Sequence, residues 1–156
     1  MSVVVADGSP IIALVQIEHI EILPALFGKV FIPPQVHNEL RALNRPENVQ
    51  ALANSSPSWL VTRAPSVITP IPGLHLGETA AIQLAPELDA ELLLIDEIKG
   101  RKMARERGLT FTGTIGVLER AAQNGVIDFA DSLERLRKTN FWVSRKLLDE
   151  ALRRQE

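Results

Sequence analysis

The 156-residue sequence contains no cysteine and no tyrosine, and aromatic residues make up only 4% of it. The missing thiols exclude a disulfide framework, a Cys-ligated zinc site and a cysteine nucleophile. The scarcity of aromatic rings excludes base stacking as a main mode of nucleic-acid binding. No apolar run approaches the roughly 18 residues of a membrane span, and no basic-then-apolar leader opens the chain. Together these absences predict a cytoplasmic protein without a membrane partner. Hydrophobic residues, at 46%, are too frequent for a disordered chain. The length suits one domain over residues 1–156, with its last helices, about 129–156, packing on it or forming an interface.

The net charge of −2 hides an asymmetry. Residues 1–98 hold four Lys and Arg against eleven Asp and Glu, a net of −7, whereas residues 99–156 hold thirteen against eight, a net of +5. An acidic half and a basic half predict that the folded surface separates the two signs; solvated helix faces give the plainer reading.

Five short apolar runs alternate with helical patterns. Val3–Ala6, Lys29–Ile32, Trp59–Thr62, Leu92–Ile95 and Leu109–Thr112 read as strands. The first and fourth have no polar alternation, which fits strands covered on both faces. Between them, helices are predicted from Pro10, over 18–27, from Pro33–Pro34 through Leu43, over 46–54, from Gly77–Glu78 to Pro86, and over 99–107 with Gly108 as its stop. Ser9 is placed as the N-cap of the first of these. Further helices follow over 115–124, 129–139 and 144–154, while 64–77, rich in Pro and Gly, reads as loop. The alternation implies a parallel sheet of about five strands with helices on both faces, a three-layer α/β/α domain.

The two most apolar strands each end in an aspartate, Asp7 and Asp96. Ligands of open parallel sheets bind beyond the carboxyl ends of the strands, where strand order reverses. Two carboxylates meeting there repel unless one is protonated or a cation joins them. With oxygen ligands alone, Mg²⁺ or Mn²⁺ is favoured over zinc. Each Asp equally fits a helix cap, and both readings stand at this point. Glu78 sits beside Gly77 in a helical first turn, where the dipole favours an acid and the glycine allows close backbone approach. Glu39 borders the apolar stripe of Val36, Leu40 and Leu43, so it is either a pocket acid or a solvated one paired with Arg41 or Arg45. His19, His37 and His75 read as ordinary surface or helix residues. Phe141 and Trp142 read as packing or interface residues.

The segments VVVADGSPIIAL at 3–14, VHNEL at 36–40, GETAAIQLA at 77–85, LLLIDEIKGRKMA at 92–104 and GLTFTGTIGVL at 108–118 resemble, in order, the PIN-domain family. The resemblance is closest to a PIN-like subfamily described as nucleic-acid-binding or as toxin nucleases of the VapC kind. It implies a PIN-like three-layer fold and hydrolysis of RNA phosphodiester bonds by one or two Mg²⁺ or Mn²⁺ ions. It also implies the site residues Asp7, Glu39, Glu78 and Asp96, with Glu97 substituting for or assisting Asp96. Ser9 matches the small polar residue that supports the first aspartate. Lys99 and Arg101, following Asp96, are positioned to hold an RNA phosphate. Arg105 and Arg107 read as a solvated face. Thr112 and Thr114 are supporting hydroxyls or turn residues. A small antitoxin protein and a homodimer are partners implied by the resemblance alone.

Where many members carry Asp, this chain has Glu78, and where many carry Thr-x-Asp it reads Leu94-Ile95-Asp96-Glu97. These departures motivate a second reading, a PIN-like module that binds RNA or protein without cutting. A phosphoacceptor receiver domain is disfavoured because one acid, not two, follows the first strand and no Lys follows the fifth. An Asp-x-Asp phosphatase is disfavoured by Asp7-Gly8-Ser9.

Overall fold

The computed structural model describes residues 3–139, 141 and 153; Trp142 and, Arg153 apart, the helix predicted over 144–154 lie outside the described residues. Five strands form one parallel sheet: β1 (Val4–Ala6), β2 (Val30–Ile32), β3 (Leu60–Thr62), β4 (Leu92–Leu94) and β5 (Phe111–Thr112), in the order β3-β2-β1-β4-β5. The chain builds outward from β1 to β3, then returns to the other side of β1. The order therefore reverses between β1 and β4, whose register pairs Val4 with Leu92 and Ala6 with Leu94.

The absence of polar alternation has a direct cause. Val4, Ala6, Val30, Ile32, Leu92 and Leu94 point into one core, against helices α1 (Gly8–Gln16), α2 (Ile22–Phe27), α3 (Pro34–Leu40) and α4 (Glu47–Asn54). The helices α7 (Thr114–Gln123) and α8 (Phe129–Arg137) complete that layer. Val5, Leu93 and Ile95 point the other way, into a second core under α5 (Leu76–Glu87) and α6 (Ile98–Glu106). Successive strand residues face opposite sides, so both sides must be apolar when both are covered. The three layers predicted from the sequence are present.

Three local expectations are corrected. The helix over 18–27 begins only at Ile22, because Glu18 takes a left-handed backbone (φ 64°) that interrupts the run after α1. α3 ends at Leu40, so Leu43 is not on its apolar face and is 93% exposed. The N-cap of α1 is Asp7, not Ser9, and its side chain makes no capping hydrogen bond. Pro86 lies one residue before the end of α5, in keeping with the expectation that it kinks or ends this helix. Gly108 (φ 73°) follows the last turn of α6 as expected of a helix stop.

Candidate active site

Four acids reach one cleft at the carboxyl edge of the sheet from four different elements. Asp7 follows β1 directly and Asp96 follows β4 by two residues, Glu39 comes from the last turn of α3, and Glu78 from the first turn of α5. Their convergence follows from topology. β1 and β4 are adjacent and parallel, so their ends open at the same crevice, and Asp7 is locked to β4 by its N–H donating to the Leu94 carbonyl at 2.9 Å. α5 runs back toward the start of β4, which puts its N-terminus, with Glu78, at that same edge. α3 and α5 pack together, bringing Glu39 alongside.

Glycines make this close approach possible. A Cβ on Gly77 would overlap the Glu39 carboxyl, and one on Gly8 would lie 3.0 Å from Glu39 Oε2. A Cβ on Gly113 would lie 2.5 Å from Asp96 Oδ1. The bare backbone at these positions lets carboxylates lie against it. Gly77 was legible in the sequence as a close-approach residue; Gly113 was not, because its partner is 17 residues away.

Burial raises the pKa of all four acids. Asp7, 4% exposed, is pushed up to about 7, first by desolvation and further by the charges of Glu39, Glu78 and Asp96, against the opposing Gly8 amide. Glu39 is raised by desolvation, opposed by Arg45, the Gly77 amide and His75. Glu78 is raised by desolvation and then by the neighbouring Glu97 charge, opposed by the His75 backbone and side chain. Asp96 is raised by desolvation even though Thr114, Ser9 and Arg101 oppose it.

The two readings of the strand-end aspartates separate here. Asp7 caps nothing through its side chain and is buried. Asp96 is tied into the fold: Oδ1 accepts from the Thr114 N–H at 2.7 Å, and Oδ2 accepts from the Thr114 hydroxyl at 2.7 Å and the Ser9 hydroxyl at 3.2 Å. It thus satisfies an amide at the start of α7, whose own N-cap, Gly113, has no side chain to do so. The hydroxyls of Ser9 and Thr114 support Asp96 rather than Asp7. Thr112 lines the cleft with its hydroxyl against Gly116, another site where only glycine leaves room.

Glu97 is the cap of α6: its Oε2 accepts from the Gly100 N–H at 2.8 Å, while the side chain also borders the cleft. Arg101 lines the cleft, but Lys99 is exposed and passes beside Gly73 instead. Sequence reasoning missed His75, set aside as an ordinary position. It borders the cleft between Glu39 and Glu78, and its charge acts on both. The proline-rich loop before it carried no signal for that placement. Phe141, read as a packing residue, packs against the larger core and also reaches the cleft.

The donor set is all oxygen, suited to a hard divalent cation. Glu78 Oε2 is buried without a hydrogen-bond partner, an atom that such a cation would satisfy. Among the described residues, no three His, Cys, Asp or Glu side chains stand as a closed ligand set. The acids surround a shared space and do not form a finished cage.

Comparison with known proteins agrees with this architecture. The chain is similar in fold to a PilT N-terminus domain protein from the hyperthermophilic archaeon Sulfolobus solfataricus P2, with a TM-score of 0.55 and 18% sequence identity over 91% of this chain and 99% of that one. No curated protein matches the sequence significantly. No helix among the described residues is long and apolar enough to cross a membrane. A family model described as a PIN domain matches residues 3–156, and with the five-stranded parallel sheet and its acidic crevice the chain belongs to the PIN-domain family, a nuclease fold family.

Proposed function

We propose that this protein is a metal-dependent endoribonuclease that hydrolyses RNA phosphodiester bonds, with Mg²⁺ or Mn²⁺ held by Asp7, Glu39, Glu78 and Asp96. The observation that carries this reading is the gathering of four buried or half-buried carboxylates from four elements in one cleft, each with its charged form disfavoured. A fold stabilised only by packing gains nothing from such an arrangement. It becomes favourable when a dication shares the cleft. The bound ion would lower the pKa of water and neutralise charge developing on a phosphate.

The remaining roles fall to the chain. Ser9 and Thr114 hold the Asp96 carboxylate in one orientation. The backbones of Gly8 and Gly77 seat Glu39. Arg101 supplies a positive charge at the cleft for the RNA backbone. Glu97 serves the cap of α6, so it is assigned to positioning that helix and not to the ion. A toxin role, held in check by a small antitoxin protein, and a homodimeric, cytoplasmic state belong to the same proposal and rest on resemblance.

The test is cleavage of single-stranded RNA with Mn²⁺ or Mg²⁺, with EDTA, and with Asp7→Asn. Loss of cleavage in both latter cases, at unchanged circular dichroism, supports the assignment; cleavage surviving either removes it. Calorimetric titration with Mn²⁺ addresses the second reading, a binding module that does not cut, favoured by the incomplete ligand set. Heat of binding that Asp7→Asn abolishes supports an intact site.

A further inference from the structure

The acids of the cleft have a basic counterpart on α6. That helix carries Lys99, Arg101, Lys102 and Arg105, followed by Arg107 as its C-cap, against a single acid within it, its last residue Glu106. Among the described residues none of these cations forms an ion pair; the ion pairs there are confined to α8. Most of the stripe is exposed and needs no explanation beyond solvation.

Two of its members are different. The guanidinium carbons of Arg101 and Arg105 both lie 5.2 Å from the centroid of one ring, Phe111 on β5. They are four residues apart on α6, so their side chains rise from neighbouring positions on one helix face. Stacking on a shared ring holds two like charges together. Arg101 Nε is moreover buried without a hydrogen-bond partner. The charge of Arg101 reaches Asp96, but no carboxylate comes within ion-pair distance of either guanidinium among the described residues. Two planar cations side by side on one ring, one with an N–H unsatisfied, match what a phosphate requires. Arg101 also borders the acidic cleft, whereas Arg105 lies beyond it toward the end of α6.

We propose that Arg101 and Arg105, braced on Phe111, form a phosphate subsite that holds the RNA backbone just outside the cleft, one step away from the scissile phosphate. The inference rests on the nuclease reading and adds a direction to it: the strand leaves the acids over the face between α6 and β5. Arg105, which the sequence alone places on a solvated face, becomes a substrate-positioning residue. Phe111 serves as the platform for the cations, not for a base.

The test measures binding in the cleavage-deficient Asp7→Asn background, by fluorescence anisotropy of a labelled single-stranded oligoribonucleotide across a salt series. Adding Arg105→Ala is expected to weaken binding several-fold and to reduce the slope of log K against log salt by about 0.7, the value of one lost single-strand phosphate contact. Phe111→Leu, which removes the platform without changing charge, is expected to weaken binding with the thermal midpoint checked alongside. In the otherwise wild-type protein, Arg105→Ala is expected to slow cleavage of the longer oligonucleotide and leave cleavage of a dinucleotide unchanged. An unchanged salt slope, or equal losses on both substrate lengths, overturns the subsite while the nuclease reading stands. Absence of RNA cleavage by the wild-type protein overturns the nuclease reading, and the subsite with it.

Discussion

The most demanding consequence of the cleft concerns stability without metal. The Asp7 carboxyl moves from an ordinary 3.8 to about 7 on folding. Its folded pKa is raised, so between those values the native state keeps a proton that the unfolded chain has released. Stability must then fall as pH rises through this window, the reverse of the usual salt-bridged aspartate. A shift of roughly three units at about 1.4 kcal/mol each gives a full penalty of about 4 kcal/mol, reached above pH 7. About 2.6 kcal/mol of this is lost between pH 5 and pH 8, the rest being already gone at pH 5. At about 2–4 °C per kcal/mol for a domain of this size, the thermal midpoint in EDTA should drop by about 5–10 °C over that range. Asp7→Asn removes that group's share of the drop; the raised pKa values of Glu39, Glu78 and Asp96 leave a slope of the same sign. On the proposed metal site, Mn²⁺ should cancel the trend in the wild type, because ionised acids would bind it and about 100 times its Kd would add about 2.7 kcal/mol at the higher pH. Differential scanning fluorimetry at five pH values, with EDTA or Mn²⁺, reads all of this. A wild-type midpoint that is flat or climbs from pH 5 to 8 in EDTA, or an Asp7→Asn profile parallel to it, would refute the electrostatic reasoning.

Other consequences are narrower. Gly77→Ala places a methyl group where the Glu39 carboxyl lies, so Mn²⁺ affinity measured by calorimetry should fall at least tenfold; stability in EDTA should change by no more than about 1 kcal/mol, since alanine is the better helix former. Thr114→Val removes the hydroxyl bonded to Asp96 Oδ2, and urea unfolding should show a loss of about 1–3 kcal/mol; an unchanged midpoint would mean that Asp96 is not held this way. Glu97→Ala should cost about 1 kcal/mol through the lost cap of α6 and leave Mn²⁺ affinity within a few-fold of wild type; a collapse of affinity would make Glu97 a ligand.

The sequence by itself determined the layer plan. Strands apolar on every residue are stable only when both faces are covered, and the intervening helical patterns supply the covers, so a parallel α/β/α sheet was readable from residues such as Val4, Val5, Leu93 and Leu94. It also drew attention to Asp7 and Asp96, which end the two most apolar strands, and to Glu78 beside Gly77, while grouping them with Glu39 rested on the family resemblance. What depends on distance through space was not readable. Nothing local shows that the Asp96 carboxylate takes its hydrogen bonds from Ser9 and Thr114, that Glu97 spends an oxygen on Gly100, or that His75 reaches the cleft from a proline-rich loop. Nor does helical periodicity reveal that Arg101 and Arg105 share the ring of Phe111. Periodicity reports which face of an element meets the core. The partners a polar side chain finds are set by strand order and helix packing, which bring together residues far apart in the chain, and only the tertiary structure decides those.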